Sequence, residues 1–195
     1  VVGEAAPGEL AEAIGNQELA RKVGFAWVDG MVHPQEWDAL CSLPLRSMNL
    51  DASVPLRPLH GAITGALETI QSSGGELSVA FAESLGPCRA LWGLDLLFGK
   101  LAPGAVRSLC ACSALKWTSL IGCRPLANDD LQALASMPSL RELWMSYRKE
   151  YAATLPEIAA RSRLVVLQLE GSVPDDVAGA IRKAAPDLDL QVSSG

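Results

Sequence analysis

Histidine and basic residues are both scarce in this chain, and each shortage argues against a class of function. Only two histidines, His33 and His60, occur in 195 residues. His33 lies in a loop before Pro34, and His60 falls on the inner row of a predicted helix, where a buried or half-buried structural role is expected. No nucleophile-elbow glycines or other local signature arrange a nucleophile, a histidine and an acid. Neither GxGxxG nor GxxxxGK[ST] occurs, so a nucleotide site of those kinds is not indicated. The chain is therefore expected not to be an enzyme and to need no cofactor.

Cysteine usage is equally uninformative for chemistry. The five cysteines are an odd number without a paired CxxC set, which argues against a disulfide framework or a zinc site and for a reducing, intracellular compartment. Cys110 and Cys112 are close in sequence, but nothing nearby completes a metal-ligand set. No run approaches the ~20 uninterrupted apolar residues of a membrane helix. The opening VVGEAAPGEL lacks the basic-then-apolar order of a signal peptide, and its start on Val1 reads as a fragment or a processed chain. With 16 Lys+Arg against 22 Asp+Glu and a net charge of −6, a nucleic-acid interface built on a basic stripe is not expected.

Apolar residues, by contrast, make up 49% of the chain, enough for a sizeable core, and they recur with a period. LRELWM (140–145) is echoed by LVVLQL (164–169), LKWTSL (115–120), LWGLDL (91–96) and LRSMNL (45–50), and more weakly by LETIQS (67–72) and KVGFAW (22–27). The starts fall at 22, 45, 67, 91, 115, 140 and 164, with Leu188 opening one more, so the gaps are 23, 22, 24, 24, 25, 24 and 24 residues. In the first unit a lysine stands at a leucine position and only Phe25 and Trp27 fill the apolar slots. The third unit closes its motif with Ser72.

Other residues fall into register with these starts. Eight positions on come mostly small residues suited to a turn out of a strand, among them Gly75, Gly99 and Cys123. About eighteen positions on lie Leu40, Ile63, Leu85, Leu109, Leu134, Ile158 and Ile181. Some three residues earlier come Trp37, His60, Ala82, Val106, Leu131, Leu155 and Val177. Such pairs form the inner face of a short helix. NDDLQALASMP (128–138) shows the pattern best, with an Asn/Asp cap and a proline past the end. Each unit is a strand, a turn and a helix, and because one unit cannot bury its apolar face alone, neighbours must stack.

The pattern LxxLxL followed by a small residue or cysteine resembles leucine-rich repeats over roughly residues 22 to 190, and most closely the cysteine-containing subclass. Cys123 occupies the first cysteine site of that subclass, and Cys88 and Cys112 stand where its second would be. MPSL (137–140) and APDL (185–188) keep the proline of its turn into the next strand. The resemblance implies an α/β solenoid of about seven repeats over residues 22–195, with a parallel sheet on the concave face and helices on the convex face. Residues 1–21 would supply a partial repeat or cap containing the helix GELAEAI (8–14), and LDLQV (188–192) a closing strand. It further implies protein recognition. The subclass occurs in substrate receptors of ubiquitin ligases, and related repeats occur in bacterial effectors.

In LxxLxL the three leucines face the core, so the residues two, four, six and seven after each start face outwards. On the central strands this row set brings Asp95, Leu97 and Phe98 beside Trp117 and Ile121, and these beside Glu142, Trp144 and Tyr147, with Glu170 beyond. Trp117 and Trp144 stand on adjacent strands two residues out of step, within reach of large rings. The expectation is an apolar, aromatic patch edged by Asp95, Glu142 and Glu170. Its composition suits a protein partner presenting a basic or amphipathic segment.

Overall fold

The computed structural model describes residues 24–28, 33–51, 54, 56–124 and 126–193. The helix expected at 8–14 and the cap at 1–21 lie outside them. Each repeated apolar motif forms a strand: β1 (Phe25–Val28), β2 (Ser47–Leu50), β3 (Thr69–Ser73), β5 (Gly93–Leu97), β7 (Trp117–Leu120), β8 (Glu142–Ser146), β9 (Val166–Glu170) and β10 (Asp189–Ser193). They form one eight-stranded parallel sheet in the order β1-β2-β3-β5-β7-β8-β9-β10, so each strand pairs with its neighbours in the chain. Short strands β4 (Glu76–Leu77) and β6 (Lys100–Leu101) pair separately just past the main sheet.

Between strands run the helices α1 (Pro34–Cys41), α2 (Ile63–Ala66), α3 (Val79–Ser84), α4 (Ala105–Leu109), α5 (Asn128–Ala135), α6 (Thr154–Arg161) and α7 (Asp175–Ala184), with a 3-10 turn at Lys149–Tyr151. This is an α/β architecture. A parallel strand cannot follow its predecessor through a tight turn, so each step needs a crossover, and each of the seven crossovers here contains a helix. The inward strand rows Met48, Ile70, Leu94, Thr118, Leu143 and Leu167, and Leu50, Ser72, Leu96, Leu120, Met145 and Leu169, are buried. They pack with the helix residues Leu40, Ile63, Leu85, Leu109, Leu134, Ile158 and Ile181 in one continuous core. Buried polar groups are bonded where a carbonyl is near: Trp37 Nε1 donates to Pro58 O at 3.0 Å and Tyr151 OH to Leu126 O at 3.2 Å.

The register departs from the sequence reading at both ends. Phe25 pairs with Ser47, so the first unit is counted from residue 23 rather than Lys22. A one-residue slip exchanges the two faces of a strand. Ala26 and Val28 are therefore buried, while Phe25 and Trp27, read as core, are exposed, Trp27 by 63%. At the other end Asp189 pairs with Val166, which places the start of the closing unit at residue 187 rather than Leu188.

Two local expectations also change. Helix α2 is a single turn beginning at Ile63, so His60 precedes it and is exposed, with Nε2 3.1 Å from Asp38 Oδ1; Leu59 takes the buried place. Asn128 is the first helical residue of α5 rather than its cap, and Asp130 Oδ2 accepts from the Ala127 N–H at 3.0 Å. His33 ends its loop as the cap of α1: its backbone N–H donates to Glu36 Oε2 at 2.8 Å.

Candidate functional site

The outward rows of the sheet are set by the same pairing that builds the core. Trp117 lies between Gly93 and Glu142, and Ser119 between Asp95 and Trp144. Trp117 is therefore displaced by two residues from Trp144, and their rings meet edge to face with centroids 5.3 Å apart. That geometry suits the quadrupoles of the two rings. Both tryptophans are half-buried rather than fully displayed. Trp117 also leans over the neighbouring rung, where a Cβ added to Gly93 would stand 3.1 Å from its Cε3.

Ser119 is flanked by these two rings and is buried, 1% exposed, although it sits on an outward row. Next to it, burial lifts the Asp95 carboxyl above the ordinary carboxylate range, and the Ser119 hydroxyl opposes that shift. Trp144 Nε1 and Tyr147 OH are buried without a hydrogen-bond partner. Leaving such atoms unpaired costs about 1–3 kcal/mol each.

Past the strand ends, Gly74, Phe98, Gly122 and Gly171 share one ladder position and all have positive φ. Phe98 is the non-glycine residue among them, at φ 56°, a conformation that disfavours a bulky side chain. Its N–H donates to Ile121 O at 2.8 Å, its ring lies across Gly122, and it is 71% exposed. Leu97 and Ile121 are half-buried beside it. On the far side Tyr147 N–H donates to Glu170 O, and Ser146 Oγ donates to Glu170 Oε2 at 3.1 Å while accepting from Gly122 N–H at 2.8 Å. Glu142 is half-buried next to Trp117.

The pairing thus joins all nine predicted residues across four adjacent strands and the turns after them, from Asp95 on β5 to Glu170 on β9. Sequence reading missed the buried pivot Ser119, the glycine platforms under Trp117 and Phe98, and the exposed edge aromatics Phe25 and Trp27. The glycines were visible only as gaps beside a tryptophan and a phenylalanine on neighbouring units. One further property emerges from the register. At the described positions two, four, six and seven after each unit start there is no lysine or arginine, whereas Asp51, Asp95, Glu142, Glu170 and Asp189 are present; Arg148, in the turn just past Tyr147, is the nearest cation on that side of β8.

The thiols are unsuited to nucleophilic work. Cys88 and Cys123 are buried, and burial pushes both up to about 11, leaving almost no thiolate at neutral pH. Among the described residues no group of three or more His, Cys, Asp or Glu could hold a metal ion, and no helix is long and apolar enough to cross a membrane. No protein-family model and no curated protein matches this chain.

Proposed function

We propose that the chain is a leucine-rich-repeat solenoid and that its outward sheet face is a non-catalytic docking surface for a basic or amphipathic segment of a partner protein. The sequential parallel order of the strands and the buried LxxLxL rows support the repeat reading. The observation that carries the functional reading is the charge of that face: aromatic and acidic residues without a single cation among the described outward positions. Such a face attracts cationic chains and repels acidic ones.

Fluorescence anisotropy with labelled basic amphipathic, acidic and neutral peptides tests the proposal. Basic peptides should bind in preference, and Glu142→Lys with Glu170→Lys should abolish the preference while far-ultraviolet circular dichroism stays unchanged. Equal binding of acidic and basic peptides by the native protein would rule it out. As the receptor part of a larger assembly, such as a ubiquitin ligase or an effector, the chain would need no catalytic group of its own.

A further inference from the structure

The edge from which the central strands start has the opposite character to the sheet face. The residue before each strand is aligned across rungs by backbone bonds: Lys116 N–H donates to Trp92 O at 2.9 Å and Arg141 N–H to Lys116 O at 2.7 Å. Trp92, Lys116 and Arg141 therefore stand side by side on successive rungs, roughly 5 Å apart. A groove of about 520 Å³ opens here, lined by Arg89, Trp92, Ser113, Lys116, Ser139, Arg141 and two alanines. That volume is within the ~300–1,000 Å³ typical of small-molecule sites.

We infer that this groove binds a phosphate-bearing polyanion, at a site separate from the docking face. Three cations line it and no carboxylate does, in a chain whose net charge is −6. Glu68, the acidic member of the same row, is held by Arg46 at 2.7 Å. Neither Arg89 nor Lys116 makes an ion pair among the described residues. Three uncompensated positive charges match a di- or triphosphate, whereas a single carboxylate would leave two of them unpaired.

The groove is also organised for such a ligand. Arg141 Nη1 donates to both Pro138 O and Leu140 O, at 2.9 and 2.8 Å, so its guanidinium is already fixed in place. Its remaining N–H groups make no hydrogen bond among the described residues. A fixed planar fork beside a mobile ammonium is well suited to phosphate oxygens. Trp92, 46% exposed, forms an apolar wall against which a ring could stack.

Isothermal titration calorimetry in metal-free buffer, with inorganic tripolyphosphate, ATP and adenosine as probes, tests the site. Tripolyphosphate or ATP should bind saturably, adenosine should not, and Lys116→Glu or Arg89→Glu should weaken binding by roughly tenfold or more. Both replaced side chains are exposed, and unchanged melting curves would verify that the variants fold. ATP binding tighter than tripolyphosphate, with the gain lost in Trp92→Ala, assigns the ligand to a nucleotide-like class. Equal affinities assign it to the phosphate chain alone. Absence of saturable binding by both anions, or binding unchanged by charge reversal, overturns the inference.

Discussion

Two pairs of aromatic residues lie on the same face of the same sheet and meet different surroundings. Trp117 and Trp144 sit on central strands, where each ring has the other as an edge-to-face partner, and Trp117 also has the bare Cα of Gly93 beneath it. Phe25 and Trp27 sit on the terminal strand β1, paired on one side only with β2, and both are exposed. A central strand has neighbours on both sides to cover an outward side chain. An edge strand has one. The same residue type therefore becomes part of a packed surface in one place and a free surface in the other.

The comparison can be broken or sharpened by measurement. The largest effect is expected from Leu143→Ala, which opens a cavity beneath the tryptophan pair and should destabilise by about 2–5 kcal/mol in urea or thermal unfolding. A cost below about 1 kcal/mol would place Leu143 outside a well-packed core.

Gly122→Ala should cost roughly 1–3 kcal/mol, because Gly122 has φ +71° and an added Cβ would stand 2.3 Å from the Phe98 ring. Combining it with Phe98→Ala, which removes the ring but keeps a Cβ at that position, should recover the part due to the clash and leave the part due to strain at Gly122. Full recovery would mean that conformation contributes nothing.

For the aromatic pairs themselves, a double-mutant cycle on Trp117→Ala and Trp144→Ala should give a coupling of about 0.5–1.5 kcal/mol. Trp27→Ala alone should change stability by no more than about 0.5 kcal/mol. If Trp27→Ala proved as damaging as Trp144→Ala, the distinction between centre and edge would fail.

The smallest effect expected is electrostatic. Because burial raises the Asp95 carboxyl in the folded protein, the folded state binds a proton more readily than the unfolded state. Its contribution to stability therefore improves as pH falls through the raised value and is lost again on the alkaline side. Asp95→Asn should flatten that part of the stability profile between the ordinary and the raised carboxyl values, as read from urea midpoints across the acid range. An unchanged slope would place Asp95 in full solvent contact.

Much of the fold was legible because the signal is repeated. Leu91, Leu115 and Leu140 are buried, and the strands between β2 and β9 pair in the register their spacing predicts. A slip in the middle of the sheet would turn an apolar row to the outside on one strand while both neighbours kept theirs inside. At the ends only one neighbour enforces the register, and the motif itself is weaker. KVGFAW offered two aromatics where Ala26 and Val28 are the buried residues, and Leu188 was one position from the true start. His60 was misplaced because a fixed spacing cannot reveal that α2 has shrunk to a single turn.

The sequence by itself determined the strand–helix alternation, the inward and outward rows of the central strands and the nine residues gathered on the sheet face. Only the tertiary structure decided that Ser119 is buried, that Trp117 and Trp144 meet edge to face, and that the chain's charges separate into an acidic face and a basic groove. Local periodicity fixes which way a side chain points. What covers it, and what charge stands beside it, depend on residues 22 to 25 positions away that only the stacking of rungs brings into contact.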